Sequence, residues 1–407
     1  MNNKKLAVVT TTFPALSQTF VIEQVSALCV LGVVPDIIAR STDERGDSHA
    51  GVVKHGLLAH TVLTPEYAPG GKRATLKRAC FFAWEFLRGP VSFLRLRDEC
   101  RRRYPDEPQL FPLALQWRHR PAYNYYLCHF GQIGRDMVRL RSLLKLPGKV
   151  YTIFHGADVS RYVENNGRDV YNELFEQGEL FLPVSDFWKS RLTDLGCAPE
   201  KISVLHVGID LDAFPYSKPQ TNDVFSMLSV SRLVEKKGIR YAIDALAQLK
   251  QEHPEQKLKY TVIGDGPLSA ELQQQAADAG LGDVVEFLGP QPNSRVQEEL
   301  KRTNLLLAPS VVAADGDMEG IPVALMEAMA TGIPVVSTWH SGIPELVIHE
   351  QTGLLAEERN AADLAAQIAR LIKDPDYSAQ LSEAGRRHVE LEHNNEVIAK
   401  LLQALVG

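Results

Sequence analysis

Short apolar runs recur along this chain. Most end on a turn built from Gly, His or hydroxyl residues before a helical stretch begins. Residues 6–9, 33–38, 125–130, 150–154, 181–185, 202–205, 225–230, 260–263, 284–288, 304–308 and 335–337 have this character. Strand–helix–strand alternation implies a parallel, doubly wound α/β sheet with helices on both faces. Such sheets bind ligands beyond the carboxyl ends of their strands, so function is sought in the turns that follow the runs. The 407 residues suffice for two domains, each with its own core. The polar, proline-containing stretch 215–224 is the expected linker. Residues 361–373 and 376–406 are helical by periodicity.

Composition removes several function classes. A net charge of −6 argues against a general nucleic-acid binder. Cys29, Cys80, Cys100, Cys128 and Cys197 are scattered and odd in number, with no Cys-x-x-Cys or His/Cys grouping for zinc, which fits a reducing compartment. No apolar run approaches the ~18 residues that cross a bilayer. Lys4-Lys5 before 6–9 imitates a signal peptide, but the run is too short and no small-residue cleavage site follows.

The most informative turn is 317–334, which holds Glu319 and Glu327. Pro322 suits a helix N1 position and Gly332 a C′ stop, predicting a helix over 322–331. Glu319 then precedes the first turn and Glu327 lies inside an apolar helix. The eight-residue spacing separates the carboxylates by roughly 12 Å. That is about the span of a nucleotide sugar from hexose to ribose. The helix start between them offers free N–H groups to phosphate. Glu327 needs a partner, because burying a lone carboxylate costs on the order of several kcal/mol.

Other turns carry complementary chemistry. Ser231-Arg232-Leu233-Val234-Glu235-Lys236-Lys237-Gly238 brings cations to a strand-to-helix turn, suited to a diphosphate. Gly264-Asp265-Gly266-Pro267 is a tight turn where backbone can approach a ligand, and 284–288 is expected to line a base. His129 and His155 end strands at the sheet's carboxyl edge, and Asp158 is placed to orient His155 or cap the next helix. The first loop, from Phe13 through Ser17 and Thr19, lacks Gly-x-Gly-x-x-Gly, so a nicotinamide dinucleotide is not supported. Ser17 or Thr19 could act there through a hydroxyl or serve only as an N-cap.

These motifs closely resemble those of the retaining GT-B glycosyltransferases of family 4. In register are both glutamates, Glu327-Ala328-Met329-Ala330, Gly332-Ile333-Pro334-Val335-Val336 and Gly342-Ile343-Pro344-Glu345. His155-Gly156-Ala157-Asp158 matches as well. His206-Val207-Gly208-Ile209-Asp210 resembles the family's end-of-domain pattern, with His206-Val207 a mild departure. Phe13-Pro14-Ala15-Leu16-Ser17-Gln18-Thr19-Phe20 resembles the opening of members that build bacterial exopolysaccharides.

The resemblance implies a GT-B fold: two Rossmann-like domains, 1–215 and 225–385, facing across a cleft, with 386–407 crossing back onto the first. It implies transfer of a hexose, with retention, from a nucleotide sugar (UDP by family habit) to a glycan or lipid-linked acceptor. Glu319, His155, Arg232 and Lys237 would be catalytic. Arg232, Lys237, Gly266, Gly320, Ile321, Val323, Glu327 and Leu288 would bind the donor. Phe13, Ser17 and Thr19 would lie on the acceptor side. No cofactor or metal is expected, since Arg232 and Lys237 supply the positive charge and no Asp-x-Asp signature stands at a suitable strand end. A small soluble acceptor, or a catalytically silent nucleotide-binding protein, are the alternatives.

Residues 71–103 stand apart. They hold ten Lys and Arg against Glu85, Asp98 and Glu99, with apolar residues interleaved. A basic amphipathic segment of this kind can lie on an anionic membrane. A cytoplasmic enzyme, peripheral at the inner membrane face, is the expectation; the competing one is an ordinary solvated helix pair.

Overall fold

The computed structural model describes residues 5–15, 18–43, 46–47, 49–64, 72–217 and 223–406. Ser17 and the linker residues 218–222 lie outside the described residues. The first sheet contains β1 (Leu6–Thr12), β2 (Asp36–Ser41), β3 (Thr61–Leu63), β4 (Tyr125–His129), β5 (Lys149–Phe154) and β6 (Leu180–Pro183). The second contains β7 (Val224–Val230), β8 (Lys257–Ile263), β9 (Val285–Gly289), β10 (Leu305–Ala308), β11 (Val335–Thr338) and β12 (Leu354–Ala356). Every pairing is parallel.

The strand orders are β3-β2-β1-β4-β5-β6 and β12-β11-β10-β7-β8-β9. Both are the doubly wound order in which the winding reverses beside the first strand. That switch point falls between β1 and β4 in one sheet and between β7 and β10 in the other. The strands are apolar along their length because helices cover both faces; in β1 the residues from Leu6 to Thr10 are all buried.

The expected secondary-structure elements need four corrections. The run 202–205 makes only an isolated bridge, Ile202 with Phe181, because the sheet already ends at β6. The short edge strands β3 and β12 have three residues each, too few to show a pattern in sequence. The helical stretch 376–406 is two helices, Pro375–Glu392 and Asn395–Val406. Finally, Pro322 is the N-cap of helix Val323–Thr331 rather than its N1 residue, while Gly332 takes the left-handed C-cap conformation at φ 89°.

The cores explain where the chain changes domains. Val389 packs in the second domain's cluster, so the helix through Glu392 stays with that domain. Ile398, Leu402 and Val406 pack in the first domain's core. The crossing back therefore occurs at 393–395, later than 386. There Ile209 N–H donates to His393 O and Asn395 N–H to Ile209 O. Ile209 and Phe214, from the end of the first domain's sequence, belong to the second domain's cluster.

Leu402 is fully buried, and its neighbour Leu401 is 53% exposed. Leu402→Ala should destabilise the first domain by roughly 2–5 kcal/mol. Leu401→Ala should change stability by no more than about 0.5 kcal/mol. Denaturant unfolding of the two variants measures the contrast.

Candidate active site

The turn after β7 is forced against the turn after β10. Glu235–Lys237 forms one 3-10 turn ending at Gly238, whose φ is +64°. A Cβ at Gly238 would stand 1.8 Å from Pro309 O, so only glycine lets the two turns meet. This closeness aims both lysines at the acidic loop. Lys236 is buried, donating to Asp317 Oδ1 at 3.1 Å and Met318 O at 3.2 Å. Lys237 donates to Glu319 Oε2 at 3.0 Å.

Glu319 is 7% exposed. Burial alone would raise its pKa, but the Lys237 and Lys236 ammonium groups prevail and hold it at about 2. Its Oε1 is buried without a hydrogen bond, 3.4 Å from Lys236 Nζ. An ionised, positioned carboxylate oxygen therefore remains available to a donor group. Beside it, the amides of Gly320 and Ile321 make no backbone hydrogen bond among the described residues. Val323 and Ala324 open the following helix. Their N–H groups precede its first repeat, as at any helix start.

The other predicted donor residues lie on the turns after β7 and β8, on β9 and in helix Val323–Thr331. Arg232 lies on the same turn as Lys237; it is exposed and has no ion pair among the described residues. It does not touch Glu319. Gly266 packs on the Arg232 turn, where a Cβ would stand 2.4 Å from Leu233 O. Leu288, near the end of β9, is half-buried. Glu327 is half-buried inside its helix with no hydrogen-bond partner for its carboxylate among the described residues. Desolvation, and then repulsion from Glu23 of the first domain, push its pKa up to about 7.

The first domain meets this loop backbone to backbone. A Cβ on Gly156 would stand 2.8 Å from Gly320 N, and one on Gly320 would stand 2.3 Å from His155 O. His155 is thus brought to the glutamate loop. Its ring lies 4.4 Å from that of Phe20 and 4.8 Å from that of Phe130, centroid to centroid. Asp158 does not touch the imidazole. It accepts from His155 N–H and Gly156 N–H at 2.9 Å each, and from Gly131 N–H, and so shapes the turn.

His155 Nε2 pairs with His129 Nδ1 at 3.1 Å, and the two rings stack. Desolvation holds both histidines well below their ordinary pKa, with mutual repulsion adding at His155, so both are neutral. His129 Nε2 is buried with no partner. A lone pair is tolerated there better than an N–H. That assignment makes His129 Nδ1–H the donor and leaves the proton of His155 on Nδ1.

The acceptor-side expectations fare differently. Phe13 is 1% exposed and belongs to the first domain's core, so it supports its loop from within and does not face an acceptor. Thr19 is the first residue of helix Thr19–Val30 and is half-buried; Gln18 is the N-cap, without a side-chain capping bond.

Sequence reading passed over three features. Asp315-Gly316-Asp317 has Asp-x-Asp spacing, but both carboxylates bind cations: Asp315 pairs with Arg161 at 3.3 Å, and Asp317 with Arg161 and Lys236. Glu23 draws close to Glu327 only through folding. His340 stands at the carboxyl edge of β11, the same signal that singled out His129 and His155. It accepts from Glu319 N–H at 3.1 Å.

A sequence profile described as glycosyl transferases group 1 matches residues 213–388. The chain is 40% identical over 405 residues to WcaL of Escherichia coli (strain K12), a glycosyltransferase assigned to colanic acid biosynthesis; the match covers 97% of this chain and 98% of that one. It is 38% identical over 413 residues to the amylovoran biosynthesis glycosyltransferase AmsK of Erwinia amylovora, covering 98% and 100%. Among solved structures, Anabaena Alr3699/HepE in complex with UDP-glucose shares the fold at a TM-score of 0.73 with 18% identity, over 99% of both chains. Identity of this level along the whole length, in a chain with two facing Rossmann-type sheets, makes this protein a glycosyltransferase of GT-B fold and a member of the group 1 (family 4) glycosyl transferases.

Proposed function

We propose that this glycosyltransferase moves a hexose, with retention of anomeric configuration, from a UDP-sugar to a lipid-linked saccharide in bacterial exopolysaccharide assembly. The pathway rests on the likeness to WcaL and AmsK. One observation carries the chemistry: Glu319 is buried and held ionised by Lys237, yet keeps one oxygen without a hydrogen bond. A buried acceptor left open in this way suits a hexose hydroxyl.

In this reading the diphosphate lies over Arg232, Lys237 and the free amides of Gly320 and Ile321. The acceptor oxygen bonds to the anomeric carbon on the face from which the phosphate departs. The C1–O bond breaks with its electron pair going to the diphosphate, which also takes the acceptor's proton. Cations aimed at the departing phosphate stabilise the charge that develops there, without a divalent metal. His155 Nδ1–H is a donor for a hexose oxygen. Glu327 takes the ribose diol.

The acceptor's lipid character is supported by the helix hairpin Lys72–Arg88 and Pro90–Arg103. Leu76, Cys80, Ala83, Trp84 and Leu87 fall on one face of the first helix, and all are exposed. Trp84 is 53% and Leu87 79% exposed. Val91, on the second helix, is also exposed. Glu85, on the opposite side, is buried against Arg118 and His119 and anchors the helix. Lys77, Arg88 and Arg95 are exposed on the same two helices. An apolar stripe flanked by cations fits an anionic bilayer surface. No helix among the described residues is long and apolar enough to cross a membrane.

Three outcomes test these readings. Glu319→Gln and Arg232→Ala should each lower sugar transfer from UDP-sugar about 100-fold; wild-type turnover in both defeats the assignment. Glu327 has a raised pKa near 7, so its carboxylate is protonated as pH falls through that value and can no longer accept two ribose hydroxyls. Uridine affinity should therefore weaken below about pH 7, and Glu327→Gln should flatten this dependence in calorimetric titration. Reversing Lys77, Arg88 and Arg95 together should weaken binding to phosphatidylserine vesicles by at least about fivefold per residue. Wild-type protein that ignores such vesicles would favour a soluble acceptor.

A further inference from the structure

We propose that His340 and Glu358 act as a positioning pair for Glu319, fixing its main chain so that its carboxylate meets the donor sugar; this rests on the reading of Glu319 given above. Neither residue belongs to the predicted binding set. His340 comes from the turn after β11, and Glu358 follows β12.

Hydrogen-bond logic sets the tautomer. The acceptor for Glu319 N–H is His340 Nε2, 3.1 Å away. A backbone amide can only donate, so Nε2 carries a lone pair and the imidazole proton sits on Nδ1. That proton points at Glu358 Oε1, 2.6 Å away. Glu358 Oε2 in turn accepts from Val312 N–H at 2.9 Å, on the loop that leads to Glu319. His340 is fully buried. A carboxylate behind a buried imidazole fixes both its tautomer and its ring orientation, as it does behind metal-bound histidines.

The same turn grips the next residue too. Ser341 Oγ donates to Gly320 O at 3.2 Å, and Thr338 Oγ1 donates to Ser310 O. The loop 309–320 is thus bound to β11 and the turn after it by contacts separate from those of Lys237. Glu319 is held by its side chain from one direction and by its backbone from the other. The lysine grip can be shared with phosphate when donor arrives, whereas His340 is engaged on one ring nitrogen by the Glu319 amide and on the other by Glu358. His340 is therefore the constraint that persists during turnover. Its contribution should fall on the reaction step, because misplacing a reacting group by about 1 Å can lower rate about 100-fold.

The test uses the full-length enzyme. His340→Phe fills the site but removes the acceptor; His340→Gln keeps an acceptor oxygen. His340→Phe should lower kcat 10- to 100-fold while the Kd for UDP stays within twofold, and His340→Gln should recover most of the loss. Glu358→Ala should lower kcat by a smaller factor, and the double variant with His340→Phe should be no worse than His340→Phe alone. If His340→Phe does not fold, His340→Gln near wild-type rate with Glu358→Ala reduced still supports the pair. The inference is overturned by wild-type kcat in His340→Phe, by a UDP affinity that falls as far as kcat, or by losses that multiply in the double variant. Glu319→Gln at wild-type rate would instead overturn the underlying role of Glu319, and the pair with it.

Discussion

Two ammonium groups and two carboxylates, three of the four buried, meet between the turns after β7 and β10. Lys236, Asp317 and Glu319 are each less than a tenth exposed, and Lys237 is only half-buried. Taking such ions out of water is expensive, and a single unpaired member would be strongly destabilising. Each must find its counterpart, so the pairings dictate how these turns fold. Lys236 answers Asp317, and Lys237 answers Glu319. Arg161 of the first domain reaches Asp315 and Asp317, so the cluster also ties the domains. What remains is one Glu319 oxygen without a hydrogen bond and, among the described residues, an Arg232 guanidinium without an ion pair. That arrangement suits an anionic, hydroxyl-rich ligand.

The two domains meet through the turns that follow β5 and β10. β5 delivers His155 and Gly156; β10 delivers Glu319 and Gly320. Contact is made by glycine against glycine, where a side chain on either would collide with main chain. A second joint is made by charge. Glu345 of the second domain accepts from Asp186 N–H at 2.7 Å and Phe187 N–H at 2.9 Å, at the start of helix Asp186–Asp194 in the first. A carboxylate at a helix N-terminus is favoured by both its free amides and its dipole. The cleft is thus framed by one main-chain contact and one carboxylate–amide contact.

Much of this was readable without coordinates, for identifiable reasons. Buried parallel strands leave unbroken apolar runs, so ten of the twelve strands were located; β3 and β12 are too short to leave one. Helix Val323–Thr331 was visible because Pro322 and Gly332 punctuate it, though the proline sits one position earlier than expected. Phe13 is expected on the acceptor side only through the resemblance, yet it packs into the core. Lys236 and Lys237 are adjacent and chemically alike. Their division, one holding the loop and the other facing the glutamate's outer oxygen, follows from which way a one-turn 3-10 helix aims each side chain. His340 carries the same strand-edge signal as His155 and stands two residues before Gly342-Ile343-Pro344-Glu345, but nothing local shows that it meets the Glu319 amide.

The linear chain thus specified its own local geometry and chemistry: periodicity and punctuating Gly and Pro set the elements, and residue type set which turns could hold phosphate or sugar. Those are short-range properties of neighbouring side chains. Partnerships across the fold were another matter. Desolvation and then Glu23, from the opposite domain, raise the pKa of Glu327, and Glu358 bonds His340 from another strand end. His129 fixes the proton of His155 across two strands. Each joins residues at least 18 positions apart, and interaction at 3 Å depends on how helices and sheets pack, which no local pattern encodes.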